Sequence, residues 1–148
     1  MLIVVATDAE YALAKRVSKH EIIQTGVGPL NVIEALKDIP KEAEIINLGF
    51  CGSNSIPKGT IVEVGECELL HETADFASPT YTLQSKGVKC YTSNDFVTGT
   101  NKTKPCVFDM ELAYILALGF KNTRSIKIVS DNLNQNEYKG AIEHVRES

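Results

Sequence analysis

The sequence predicts an α/β protein, a three-layer sandwich built on a mixed central sheet. Short apolar runs alternate with amphipathic helical stretches, and glycine-bearing turns mark several of the changeovers. No repeat, low-complexity tract or linker breaks the alternation, so residues 1–148 read as a single domain. With 148 residues, 43% hydrophobic and 23% charged, the chain can build a core without a disulfide or metal staple.

The elements follow in order. Residues 2–6 form a continuous apolar run, as expected of a strand covered on both faces. Acidic Asp8 follows at once and no basic stretch precedes the run, so it reads as a strand and not as a signal peptide. A helix is expected from about Asp8 to Ser18, and Thr7-Asp8-Ala9-Glu10 fits a capping box at its start. Ile22-Ile23-Gln24 is a second short strand. It runs through Thr25-Gly26-Val27-Gly28-Pro29 into a helix carrying Val32, Ile33, Ala35 and Leu36 at helical spacing. The pair Gly26-x-Gly28 lacks the third glycine of a dinucleotide-binding turn, because Asn31 stands there. A tight strand-to-helix turn is the reading.

Residues 44–48 read as a third strand that ends in a Gly49-Phe50-Cys51-Gly52 loop, and Pro57-Lys58-Gly59 as a turn. The alternation over 60–70 predicts a long strand. Residues 88–92 predict another, reached from Leu70 by a brief turn that includes Ser85-Lys86-Gly87. Residues 108–119 read as a helix with Met110, Leu112, Ile115 and Leu116 facing the core. A late strand covers 125–129, and a polar helix starts at about Glu137.

Charge and composition narrow the partners. Fifteen Lys and Arg against nineteen Asp and Glu give a formal charge of -4, and no long basic block offsets it. A nucleic-acid partner is therefore not expected. The apolar stretches are too short to span a bilayer, so no membrane partner is expected and the chain reads as cytoplasmic. Cys51, Cys67, Cys90 and Cys106 are widely spaced and read as reduced thiols. His71-Glu72-Thr73-Ala74-Asp75 is like a shortened metal-binding motif, but it sits between a strand-like run and Ser78-Pro79. No metal and no cofactor are expected.

Ligands of α/β sheets bind beyond the carboxyl ends of the strands, here the loops after Ala6, Gln24, Leu48, Thr92 and Val129. Three carboxylates lie near such ends: Glu10, Glu111 and Asp131. Each has a plain structural explanation. Glu10 closes the capping box, Glu111 suits a solvated helix position, and Asp131 could cap the region 133–138.

Their surroundings alter that balance. Val4-Val5-Ala6-Thr7-Asp8-Ala9-Glu10 is an opening strand with an acidic turn, and Thr25-Gly26-Val27-Gly28 a glycine turn. Ile45-Ile46-Asn47-Leu48-Gly49-Phe50-Cys51-Gly52 and Pro57-Lys58-Gly59-Thr60-Ile61-Val62 follow. Then come Ser93-Asn94-Asp95-Phe96-Val97, Phe108-Asp109-Met110-Glu111 and Ile128-Val129-Ser130-Asp131. In this order they resemble the nucleoside phosphorylase and nucleosidase superfamily, most of all the methylthioadenosine/S-adenosylhomocysteine nucleosidase branch.

The resemblance implies a nucleoside phosphorylase-like fold and cleavage of the N-glycosidic bond of a small purine nucleoside. It implies Glu10 as the base that activates water and Asp131 as the acid that protonates the leaving purine. Lys127, standing where the family has an arginine, joins them as a catalytic group. Glu111 would clamp the ribose hydroxyls with Met110 against the sugar, and Phe96 would stack on the base. Gly49, Phe50 and Ser130 complete the implied substrate contacts. Phosphorylases place arginines around a phosphate. Here Asn47 occupies one such position and the first loop carries Asp8 and Glu10, so hydrolysis is the expected outcome. The alternatives are a phosphate-dependent phosphorylase and a catalytically degenerate nucleoside-binding module. The resemblance also implies a homodimer or larger homo-oligomer. The chain departs from the pattern at Phe50, where a small hydroxyl residue is usual, at Asn94, and in the shortened stretch between Leu70 and Val88.

Overall fold

The computed structural model describes residues 1–71 and 78–147. Strand β1 (Leu2–Val5) is buried along its whole length, as an apolar run flanked by strands on both sides should be. Its side chains alternate. Leu2 and Val4 pack with Val32, Leu36, Ile115 and Phe120, whereas Ile3 and Val5 pack with Ala14 and Leu48 on the other face. Helix α1 (Asp8–Val17) starts from the Thr7–Glu10 capping box, with acidic residues in its first turn and basic ones in its last. Strand β2 (Glu21–Gln24) then pairs parallel to β1 at the sheet edge.

The turn into helix α2 (Pro29–Leu36) needs its glycines: Gly26 and Gly28 sit at φ 89° and 94°, and Gly28 is the N-cap residue ahead of Pro29. The remaining elements are β3 (Ile45–Ser53), β4 (Ile61–Leu69), β5 (Tyr81–Thr82), β6 (Val88–Thr92), β7 (Cys106–Asp109), α3 (Leu112–Ala117), β8 (Thr123–Asp131) and α4 (Gln135–Glu147). Helices α1 and α4 cover one face of the mixed sheet and α2 with α3 the other, which gives the three layers.

One part of the sheet closes on itself. Strand β3 pairs parallel with β8, β8 antiparallel with β4, β4 parallel with β6, β6 parallel with β7, and β7 antiparallel with β3. Each of these five strands sends a buried residue inward: Cys51, Val64 and Cys67, Cys90, Val107 and Val129. Leu112 and Ala113 of α3 plug the ring. The four cysteines are free and buried.

Three expectations need correction. The Gly49–Gly52 segment is not a loop but the second half of β3, held in register with β8 as far as a bulge between Cys51 and Gly52. Residues 108–119 are not one helix. Phe108 and Asp109 end β7, Met110 and Glu111 lie ahead of α3, and Glu111 is its N-cap residue. The stretch from Leu70 to Val88 holds strand β5, paired with β4, and is more than a turn. Residues 72–77, which include most of the metal-like motif after His71, lie outside the described residues. Among the described residues no group of three His, Cys, Asp or Glu side chains is arranged to hold a metal, and no helix is long and apolar enough to cross a membrane.

Candidate active site

A cavity of about 450 Å³ opens beyond the carboxyl ends of β1, β2 and β8. All five expected segments reach it, through Thr7, Val27, Phe50, Phe96 and the pair Ser130–Asp131. Seven of the nine residues singled out from the sequence line it: Glu10, Phe50, Phe96, Met110, Glu111, Ser130 and Asp131. Gly49 and Lys127 do not. They lie beneath the floor, paired across β3 and β8.

Glu10 both caps a helix and faces the cavity. Its Oε1 accepts the backbone N–H groups of Ala6 (2.9 Å) and Thr7 (3.1 Å), which closes the capping box. Its Oε2 accepts the Phe50 N–H at 2.8 Å. A carboxylate oxygen has two lone pairs, so Oε1 is saturated and Oε2 keeps one acceptor position. Gly49 makes this approach possible, because a Cβ there would collide with the Glu10 carboxylate.

Beneath the floor, Lys127 is fully buried with its ammonium 3.0 Å from Asp109 Oδ2 and 3.8 Å from Glu111 Oε2. The shorter contact is an ion pair whose angle falls outside hydrogen-bond geometry, so the ammonium keeps unspent donors. Burial alone would push the Lys127 ammonium to lose its proton, but the charges of Asp109 and Glu111 outweigh that and hold it protonated. Burial likewise favours the neutral form of Asp109. The Lys127 charge and hydrogen bonds from Thr92 and the Leu112 N–H reverse this and keep its carboxyl below the usual range. Glu111 goes the other way: burial, with Glu10 and Asp109 nearby, pushes it up to about 8 against the pull of Lys127. Glu111 is thus not the solvated residue its sequence position suggested.

Asp131 is buried at the end of β8. Burial raises its carboxyl, while hydrogen bonds from Ser130 Oγ (2.7 Å) and the Leu133 N–H (2.9 Å) partly offset this. To direct that N–H at the carboxylate, Leu133 takes a φ of 65°, unusual for a branched side chain. The cap of α4 is Asn134, whose Oδ1 accepts from the N–H groups of Asn136 and Glu137, while Asp131 accepts from the Leu133 N–H in the turn ahead of that helix. Phe96 forms one wall with its ring tilted against Tyr138 of α4, centroids 5.5 Å apart. The Tyr138 hydroxyl is raised to about 12 by burial and by Glu10, Glu111 and Asp131, and so stays a neutral donor among three carboxyl groups.

The sequence gives Asp109 no role beyond its place in the Phe108-Asp109-Met110-Glu111 motif and does not single out Tyr138. A signal for Asp109 existed, since a lysine inside the apolar run Ile126-Lys127-Ile128 requires a buried counter-charge. Tyr138 carried none, being one aromatic on a polar helix.

The mixed sheet and its layers match the nucleoside phosphorylase-like fold of solved nucleosidase structures. Solved structures with this fold include MTAN of Chlamydia trachomatis bound to adenine, at 18% identity and a TM-score of 0.76 over 99% of this chain and 90% of that one. A 5′-methylthioadenosine/S-adenosylhomocysteine nucleosidase from S. pneumoniae with a transition-state inhibitor is similar at 19% identity and a TM-score of 0.77, over 99% and 94%. Futalosine hydrolase of Helicobacter pylori is similar at 10% identity and a TM-score of 0.75, over 97% and 91%. No protein-family model and no curated protein matches the sequence.

Proposed function

We propose that this protein is a nucleosidase that hydrolyses the N-glycosidic bond of a purine nucleoside, of the 5′-methylthioadenosine or adenosylhomocysteine type. The observation that carries the reading is the convergence of Glu10, Glu111 and Asp131, each buried, on one cavity walled by Phe96. Bond cleavage of this kind passes through an oxocarbenium-like sugar. It needs a proton for the departing base, a base for water, and negative charge near the ring.

The parts fit those needs. Asp131, whose carboxyl burial shifts toward the protonated form, gives a proton to purine N7 as the C1′–N9 electrons move into the base. Glu10 receives a proton from water through the open position on Oε2 as that water attacks C1′. Glu111 accepts the ribose hydroxyls, Met110 packs against the sugar, and Phe96 stacks on the purine. The products are the free base and the free sugar. Water is favoured over phosphate because four carboxyl-bearing residues line the cavity against one basic side chain, Lys139, among the described residues.

The test is chromatographic release of free base from adenosine, inosine, methylthioadenosine and S-adenosylhomocysteine, with and without phosphate. Release without phosphate supports the proposal, and Asp131→Asn then abolishes it with little change in melting temperature. Release only with phosphate assigns a phosphorylase instead. No release from any of the four, with adenine still raising the melting temperature, assigns a binding module.

A further inference from the structure

The buried charges at the cavity floor do not divide evenly. Glu10, Asp109 and Glu111 surround a single ammonium, that of Lys127. Asp109 is the better-supplied claimant. The Thr92 hydroxyl oxygen accepts the Ala113 N–H at 3.0 Å, which leaves the hydroxyl hydrogen for Asp109 Oδ1. Cys90 Sγ donates to the same oxygen at 3.3 Å, and the Leu112 N–H donates to Oδ2 at 2.9 Å. Asp109 is thereby held as an anion, and it holds Lys127 in turn. Among the described residues, Glu111 Oε2 has only the Met110 N–H at 3.3 Å and the ammonium at the longer distance of 3.8 Å.

We propose that Asp109 is a positioning residue that competes with Glu111 for the Lys127 ammonium and so sets the pH at which Glu111 becomes a carboxylate. This rests on Glu111 as the ribose clamp only for its catalytic meaning; the competition itself exists without substrate. Every element around Glu111 contributes to the balance. Lys127 of β8 favours its charged form, while Asp109 of β7 and Glu10 of α1 oppose it. Tyr114 of α3 and Tyr138 of α4 face the same group and both stay neutral, since burial and the nearby carboxylates raise them. An ionised Glu111 accepts two ribose hydroxyls and offsets the charge on the sugar ring, and a neutral one does so weakly. Asp109 therefore makes the site responsive to mildly alkaline pH by holding the ammonium that Glu111 would otherwise draw.

The experiment is a carboxyl carbon NMR titration of the ligand-free protein carrying labelled glutamate, with the Glu111 resonance assigned by its loss in Glu111→Gln. In Asp109→Asn the ammonium turns wholly to Glu111, and its midpoint falls by about one pH unit or more. In Lys127→Met the attraction is gone and the midpoint rises. Opposite movements distinguish the competition from general loosening, which would shift both variants the same way. Lys127→Met also serves as the test should Asp109→Asn not fold. A Glu111 midpoint that stays in place in either folded variant overturns the proposal. In the active enzyme the pH dependence of KM follows the same midpoint. Correct NMR shifts with no nucleoside cleaved would uphold the competition and overturn the nucleosidase reading.

Discussion

A Cβ at position 49 would stand 2.7 Å from Glu10 Oε2 and 3.5 Å from Lys127 Nζ. Gly49 therefore lets the carboxylate above and the ammonium below approach the same point of β3. The variant Gly49→Ala must displace the Glu10 carboxylate, since 3.5 Å from the ammonium is ordinary van der Waals contact. The expected result is a loss of base release by about 100-fold from misplacement of Glu10. The accompanying loss of stability is about 1–3 kcal/mol, and steady-state kinetics with a denaturation curve would check both.

Stability should fall as pH rises from weakly acidic to about 8. The folded chain keeps a proton on Glu111 up to about 8, whereas the unfolded chain loses it near the ordinary value of 4.5. Between these limits the folded state binds more protons, so raising the pH favours unfolding. Asp131 acts in the same direction. Asp109 has the opposite sign: its lowered carboxyl contributes stability at neutral pH that is lost only in acid. Glu111→Gln should flatten the decline, and urea midpoints at pH 5, 6.5 and 8 would show it. An unchanged slope would mean Glu111 is charged at neutral pH.

Ser130 sets how firmly Asp131 keeps its proton. Its hydroxyl lies 2.7 Å from Asp131 Oδ1 and supports the ionised form. Removing that donor in Ser130→Ala should leave Asp131 protonated to higher pH. The alkaline limb of kcat/KM moves upward by about half a unit to one unit. A pH–rate profile reads this directly, and a limb that moves down would remove Asp131 from the acid role.

Gly87 lies against the bulge in β4, where a Cβ would come within 1.9 Å of the Glu63 carbonyl oxygen and Gly65 meets Gly87 backbone in the same way. No side-chain movement relieves a contact with backbone. Gly87→Ala should cost more than about 3 kcal/mol and open the β4–β6 pairing. Thermal unfolding and amide exchange in β6 would record it.

The sequence made some of this legible and hid the rest for identifiable reasons. Strand β6 came out at Val88–Thr92 because a turn bounds a short run, and the Thr7–Glu10 cap because both partners are local. Strand β7 was lost inside a helix. Its four residues are all buried, so they show no alternation and merge with the apolar positions of α3. Gly49 and Gly52 suggested a loop, yet they occupy a strand to admit carboxylates, Glu10 at one and Asp131 at the other. Glu10, Glu111 and Asp131, which the sequence places near strand ends, line one cavity. The anion that Lys127 required was not legible, because its partner lies on a strand that the pattern had concealed.

The closed ring also governs how this chain must fold. Strand β8 belongs between β3 and β4, and Ser125 of β8 donates to buried Asn47 of β3 at 2.8 Å across a separation of 78 residues. Until β8 docks, the inner edges of β3 and β4 stand open, with their backbone donors and acceptors unmet. Such distant pairing makes loop-closure entropy the main obstacle and places this chain among slow folders. Lys127 and Asp131 arrive on that same strand, so the charges in and beneath the cavity are completed only at the step that shuts the ring.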